Sequence, residues 1–126
     1  MNYVNIIAIL AILQFILFGV YVGRAREKYG VKAPATTGNE HFERAFRVQM
    51  NTLEQLVCFL PALFIAASYQ PNAVVAGIGL VWLIGRFIYR QSYVADPSKR
   101  HIGFLLTVVP TIALLGLGLF GSVIGR

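Results

Sequence analysis

The chain has 126 residues, of which 57% are apolar and 13% charged, and its mean hydropathy is +0.68. Soluble domains carry about 25% charged residues. This composition therefore argues against a soluble enzyme or a disordered chain, and a single cysteine, Cys58, argues against a disulfide scaffold. The net charge of +6 would suit nucleic acid, but the basic residues lie between long apolar runs. That arrangement is typical of an integral membrane protein, so we expect no nucleic-acid partner.

The first apolar run extends from Asn2 to Val22. This is long enough for a helix that crosses the hydrocarbon core of a bilayer, which takes ~20 residues. A cleaved signal peptide is the alternative reading. No basic residues precede the run, and it is longer than the apolar part of a signal peptide. We therefore predict a retained first helix over about residues 2–24.

A loop follows from Gly30 to Gly38, marked by Pro34. Thr37 and Glu40 have the spacing of a capping box, which predicts that the second helix begins near Gly38 and covers about 39–69. Such a helix would be roughly 45 Å long. This exceeds the hydrocarbon thickness of about 30 Å, so its first turns should project out of the membrane.

Two more apolar runs predict helices over 72–95 and 101–124, and a Pro71-Asn72 turn precedes the first of them. In hydrocarbon the backbone must satisfy its own hydrogen bonds, so each run should be helical. We predict an all-α integral membrane protein, a bundle of four transmembrane helices forming a single domain over 1–126.

Positive charge predicts the orientation of this bundle. Six Lys or Arg lie between Arg24 and Arg47, and four lie between Arg86 and Arg100, whereas the turn near Pro71 has none. Basic loops remain cytoplasmic. Both basic loops should therefore be cytoplasmic, with both termini on the opposite side.

Polar residues form two stripes at helical spacing near the predicted cytoplasmic surface. The stripe on the second helix consists of Arg44, Arg47, Asn51 and Glu54. The stripe on the third helix consists of Arg86, Tyr89, Arg90 and Tyr93, with Arg100 just beyond. A carboxylate in a membrane helix is costly unless paired, so Glu54 indicates a functional site.

A purely structural interpretation of the stripes is also open. Arg and Tyr side chains often reach the headgroup region, and Glu54 could form an ion pair with Arg47 or Arg86 that only stabilises helix packing. However, the stripes contain five arginines, more than one glutamate can neutralise. An anionic ligand would supply the missing charge.

Other reactive residue types give weaker indications. His41 and His101 are far apart in sequence and have no cysteine or carboxylate at metal-ligand spacing, so we expect no metal site. Cys58 lies in an apolar run and is expected to be a buried, inert thiol.

The segment from Phe42 to Gln55 resembles the signature of the MAPEG superfamily, the membrane-associated proteins in eicosanoid and glutathione metabolism. Every fixed position of the pattern F-E-R-x-x-R-x-x-x-N-x-x-E is present. The loop from Pro34 to Gly38 and the end of the third helix also resemble the family. This resemblance implies a homotrimer with glutathione bound at the subunit interface, and similarity to the bacterial branch implies the bacterial inner membrane.

The resemblance also implies roles for individual residues. The glutathione-binding set would be Arg44, Arg47, Asn51, Glu54, Arg86, Tyr89 and Tyr93. In this scheme Arg47, Asn51 and Glu54 come from one subunit, whereas Arg86, Tyr89 and Tyr93 come from its neighbour. Arg100 matches the position that stabilises the glutathione thiolate in leukotriene C4 synthase, which would make it the catalytic residue.

We therefore expect a glutathione transferase, with peroxidase activity as an extension, that takes apolar electrophiles from the bilayer. Glu27 and Gln55 depart from the leukotriene C4 synthase pattern, which argues against a leukotriene-specific enzyme. One alternative is a non-catalytic lipid-binding or scaffold protein of the same fold. The other is a small four-helix exporter that uses Glu54, although the nearby arginines would repel cationic drugs.

Overall fold

Four long helices make up the computed structural model, which describes all residues from 1 to 126. The helices are α1 (Tyr3–Tyr29), α2 (Glu40–Ala67), α3 (Asn72–Ala95) and α4 (His101–Ile124), with one 3-10 turn, Pro97–Lys99, before α4. The structure contains no strand. All four helices are long and apolar enough to cross a membrane. The prediction of an all-α, multi-pass membrane bundle is therefore confirmed.

The first helix is longer than its apolar run. It continues to Tyr29, five residues past the expected end near 24, and stops where Gly30 adopts a left-handed conformation with φ of 70°. The N–H of Gly30 bonds to the carbonyl of Arg26. The end of an apolar run marks where a helix leaves hydrocarbon, whereas the intervening Arg, Glu and Lys residues are good helix formers.

The second helix is capped by Asn39, so the capping box predicted for Thr37 and Glu40 is wrong. The side chain of Asn39 accepts hydrogen bonds from the N–H groups of His41 and Phe42, at 2.9 and 3.1 Å. The carboxylate of Glu43 accepts from the N–H of Gly38 at 3.2 Å. In a capping box this return hydrogen bond would come from the N–H of the cap residue itself, whereas here it comes from the residue before Asn39. Asparagine is as effective an N-cap as serine or threonine.

Most buried side chains are apolar, and many large apolar side chains are exposed. Phe59 and Trp82 are fully buried and stack with their ring centroids 4.2 Å apart, which joins α2 to α3. Large apolar side chains such as Leu13 on α1 and Leu119 on α4 are exposed, as expected for contact with lipid. Cys58 is also exposed, so the expectation of a buried thiol is wrong. It lies one turn after Glu54 on the outward face of α2.

Two glycines bring α3 and α4 into close contact at the end that carries the site. A Cβ atom on Gly85 would lie 2.7 Å from the Cβ of Leu106. A Cβ on Gly103 would overlap the backbone of Tyr89. Because only glycine allows this approach, the first turn of α4 rests directly on Tyr89.

Candidate functional site

A polar cleft of about 520 Å³ opens where α2, α3 and the start of α4 meet. Its volume lies within the range of about 300–1,000 Å³ that is usual for small-molecule sites. It is lined by Arg47, Asn51, Tyr89, Tyr93, Arg100, His101 and Phe104. Five of these seven belong to the residues predicted from the sequence, and they come from three different helices or helix ends.

The α2 wall of the cleft carries one ion pair. The guanidinium of Arg47 donates to the carboxylate of Glu54 at 3.1 Å, and both side chains are about half exposed. The amide nitrogen of Asn51 is 3.5 Å from the same carboxylate. Glu54 does not line the cleft itself. It holds the position of two side chains that do.

Arg86 lies behind the cleft rather than in it, because its side chain is fully buried. It donates to Asn51 Oδ1 at 2.9 Å, to Thr52 Oγ1 at 2.8 Å and to Thr107 Oγ1 at 3.3 Å. One guanidinium therefore links α2, α3 and α4. Its Nε has no hydrogen-bond partner. A buried arginine held only by neutral acceptors is costly.

The resemblance placed Asn51 and Arg86 on different subunits, but within this chain they are already hydrogen-bonded to each other. The cleft likewise combines Arg47 and Asn51 with Tyr89 and Tyr93 from the same chain. Within one chain the two stripes therefore already meet, and which subunit supplies each ligand contact stays a prediction. The stripes meet because α2 and α3 pack side by side along this face.

Two tyrosines form the α3 wall. The rings of Tyr89 and Tyr93 stack with their centroids 5.5 Å apart, and the guanidinium carbon of Arg86 lies 4.4 Å from the Tyr89 centroid. Phe104 packs against Tyr89 from α4. This wall is flat and aromatic, with phenolic hydroxyl groups available as hydrogen-bond donors or acceptors.

The third wall is the N-terminus of α4. Arg100 is the N-cap residue of this helix, and its guanidinium donates to the carbonyl of Pro97 at 2.9 Å. His101 and Phe104, in the first turn, line the cleft beside it. A helix N-terminus carries a partial positive charge and attracts anions. Arg100 has no carboxylate partner, so its charge adds to that of the helix end.

The connection before α4 is held by Asp96. Its carboxylate accepts from the backbone N–H of Ser98 at 3.0 Å and from the Ser98 hydroxyl at 2.8 Å. These hydrogen bonds from Ser98 lower the pKa of Asp96 below its usual value. The turn that carries Arg100 is thus fixed by an ionised carboxylate at neutral pH.

Arg44 occupies a separate position from the other predicted residues. It donates to the carbonyls of Val94 and Ala95 at 3.1 and 3.3 Å, and it pairs with Glu40. It therefore ties α2 to the end of α3. It also lines a second polar depression of about 460 Å³ that shares Arg47 and Tyr93 with the main cleft.

Arg90 departs from the stripe in which the sequence placed it. Its guanidinium carbon lies 4.0 Å from the ring centroid of Tyr21 on α1. Arg90 follows Tyr89 directly, and a step of one residue on a helix rotates a side chain by about 100°. That rotation turns Arg90 out of the cleft and towards α1.

The charges at the cleft remain unbalanced after these pairings. Arg47 is neutralised by Glu54 and Arg44 by Glu40, whereas Arg86 and Arg100 have no carboxylate. The expected excess of arginine over glutamate is therefore present, but it comes from two residues and not from the whole stripe. An anion with more than one negative group would balance this site.

Sequence reasoning missed four residues at this site. His101 and Phe104 line the cleft, and Thr52 and Thr107 accept from Arg86. Helical spacing from Arg100 would have placed Phe104 on its face, but nothing in the sequence pairs Thr107 with a residue on α3. The structure has no group of three or more His, Cys, Asp or Glu side chains placed to hold a metal ion.

The sequence is similar to a known protein family and to several named proteins. A family model described as "MAPEG family" matches residues 4–120. An uncharacterized protein of Synechocystis sp. is 47% identical over 110 residues, which cover 87% of this chain and 80% of that protein. Human microsomal glutathione S-transferase 2 is 38% identical over 119 residues, which cover 92% of this chain and 81% of the human protein. Bovine leukotriene C4 synthase is 34% identical over 94 residues, 75% of this chain and 63% of that enzyme.

Proposed function

The chain belongs to the MAPEG family, and from that membership we propose that it is a membrane-bound glutathione transferase. It would add the thiolate of glutathione to apolar electrophiles that arrive from the bilayer. The observation that carries the proposal is the cleft, in which an unpaired Arg100 at a helix N-terminus stands beside Arg47, Asn51 and two tyrosines. Its relatives include proteins named microsomal glutathione S-transferase.

The chemistry of glutathione suits these residues. The tripeptide has two carboxylates, which match arginine guanidinium groups, and a peptide backbone that can exchange hydrogen bonds with Asn51. Its ammonium group requires an acceptor, and Glu54 is a carboxylate in contact with two residues that line the cleft. Glu54 would then share its charge between Arg47 and the ligand.

The reaction depends on the thiolate, because the protonated thiol is a weak nucleophile. A cation beside the sulfur favours loss of its proton, which leaves to solvent. Arg100 and the N-terminus of α4 would supply that positive charge. The thiolate then forms a carbon–sulfur bond with the electrophile, and the leaving group departs with the electron pair of the broken bond.

The same thiolate would support a peroxidase reaction. Attack on one oxygen of a lipid hydroperoxide breaks the O–O bond and, after protonation, gives a lipid alcohol and glutathione sulfenic acid. A second glutathione converts that acid to glutathione disulfide and water. Two glutathione molecules are oxidised for each hydroperoxide reduced.

Assembly and orientation are part of the proposal. We assign the chain to a homotrimer, as its family resemblance implies, and place both basic loops in the cytoplasm, where glutathione is available. The exporter alternative is less well supported, because Glu54 is paired with Arg47 beside a cationic cleft. A cationic drug would meet repulsion there.

Turnover with a chloronitrobenzene electrophile tests this function on the full chain purified in detergent. We expect glutathione-dependent conjugation that Arg100→Ala abolishes or reduces by about 100-fold, the usual scale for one electrostatic contact to a reacting anion. Lys99→Ala removes a neighbouring exposed cation that does not line the cleft, and should retain full turnover. No conjugation by the native chain, with glutathione still bound, would favour the non-catalytic lipid-binding alternative.

A further inference from the structure

A second basic site lies where α3 faces α1, away from the cleft. It is a groove of about 260 Å³ formed by α1, α2 and α3 at the end where their loops emerge. Its polar and aromatic lining consists of Tyr21, Arg24, Lys28, Tyr29, His41 and Arg90. We call this set the basic groove. It shares no residue with the cleft.

The cations of the basic groove have no anionic partner in the chain. Neither of the two ion pairs in the structure involves Arg24, Lys28 or Arg90. No carboxylate lines the groove. Three positive charges from two helices therefore converge on one depression. The three positive charges repel one another, and a bound anion would offset this repulsion.

Aromatic rings hold two of these cations in place. The guanidinium carbon of Arg90 lies 4.0 Å from the Tyr21 centroid, and the ammonium of Lys28 lies 5.4 Å from the Tyr29 centroid. His41 on α2 stacks against the same Tyr29, with centroids 5.3 Å apart. A guanidinium resting on a ring keeps its N–H groups free at the edge. The groove thus offers oriented, unused donors, the geometry that recognises phosphate.

The depth of the groove indicates which phosphate it meets. The apolar run of α1 ends at Val22, and the exposed apolar side chains of that helix extend as far as Val20. Tyr21 and Arg24 therefore stand at the level where hydrocarbon gives way to headgroups. Isolated basic residues at this level simply extend into water, whereas basic pockets between helices bind anionic lipid headgroups. We propose that the basic groove binds the phosphate of an anionic phospholipid.

Lipid competition on the full chain tests this site. The purified, delipidated protein is mixed with equal amounts of phosphatidylglycerol and phosphatidylcholine that carry the same acyl chains, and bound lipids are counted by native mass spectrometry. We expect a saturable preference for phosphatidylglycerol. The double variant Arg24→Gln, Lys28→Gln should weaken it about 30-fold, since each cation near an anionic lipid contributes roughly a fivefold factor. Both side chains are exposed, so the fold should be retained.

Matched controls make the result decisive. Lys32→Gln with Lys99→Gln removes the same charge from exposed positions outside the groove and should leave the preference unchanged. Arg90→Gln alone removes the third cation and should reduce the preference by itself. An equal loss in the control pair, or no preference in the native chain, would overturn the proposal. If inorganic phosphate alone raised the melting temperature as much as phosphatidylglycerol does, the groove would be a site for a free anion and the lipid assignment would be wrong.

Discussion

The guanidinium of Arg86 donates a hydrogen bond of 2.9 Å to the side-chain carbonyl of Asn51, directly behind the cleft. Arg86 is fully buried, whereas Asn51 lines the cleft. We therefore propose that this arginine, which the sequence places among the ligand contacts, acts through Asn51. The contact fixes the orientation of the Asn51 amide, with Oδ1 held by Arg86 and Nδ2 3.5 Å from the carboxylate of Glu54.

Substituting Arg86 by Lys tests this positioning role. A single ammonium cannot serve Asn51, Thr52 and Thr107 at once, so we expect glutathione affinity to fall by about tenfold. Calorimetric titration with glutathione measures it, with Arg90→Lys, whose side chain faces α1 and does not line the cleft, as the unchanged control. In a double-mutant cycle, Arg86→Lys and Asn51→Ala should be strongly non-additive. Additive losses would mean that Arg86 affects the ligand by another route.

Arg44 and Arg47 lie three residues apart in the same signature, but their substitution should have different effects. Arg47 lines the cleft, so Arg47→Gln should weaken glutathione binding by about tenfold, which is ~1.4 kcal/mol. Arg44 bonds to the end of α3, so Arg44→Gln should lower the free energy of unfolding by about 1.5–3 kcal/mol and change affinity much less. Paired glutathione titrations and thermal melts compare the two. Equal losses of affinity would place Arg44 in the ligand site.

The contact between Gly103 and Tyr89 predicts a strong effect of one methyl group. Gly103→Ala would push α4 away from the backbone of Tyr89 and should destabilise the protein by about 1–3 kcal/mol. It should also reduce turnover, because Arg100 moves with α4. Gly116→Ala, in the same helix with open space around it, should be neutral or stabilising by about 0.4–1 kcal/mol. If Gly103→Ala changed neither the free energy of unfolding nor turnover, the close contact between Gly103 and Tyr89 would be wrong.

Asp96 predicts how the α4 connection responds to acid. Its folded-state pKa lies below the usual value because the Ser98 hydroxyl and N–H donate to the ionised form. The stabilisation is therefore present above the ordinary aspartate pKa and is lost as the pH falls through the lowered folded-state value. Asp96→Asn should melt below the native chain at pH 7, and the gap in melting temperature should close in acid. A gap that is constant with pH would show that ionisation of Asp96 is not involved.

The four helices could be predicted from the sequence because each apolar run must satisfy its own hydrogen bonds in a membrane. The exact ends of the helices were harder to predict from the sequence. The end of α1 depends on Gly30 rather than on where apolar residues stop, and the start of α2 depends on Asn39 rather than on Thr37. These are local choices between caps of nearly equal quality.

The candidate site was partly visible in the sequence, because helical spacing places Arg47, Asn51 and Glu54 on one face. Spacing alone could not separate Arg86, which is buried, from Arg90, which faces α1. Both belong to one apparent stripe, and only the packing of α3 between its neighbours decides which way each side chain turns. For the same reason, Thr107 could not be linked to Arg86 from the sequence.

The role of Arg100 is tested most directly by titrating the purified protein with glutathione and following the ultraviolet absorbance of the thiolate. We expect a saturable thiolate signal at neutral pH in the native chain. Arg100→Ala should lose that signal while still binding glutathione through the α2 and α3 walls, and Lys99→Ala should keep it. A thiolate signal of equal size and unchanged pH dependence in Arg100→Ala would contradict the assignment of Arg100 as the residue that stabilises the nucleophile.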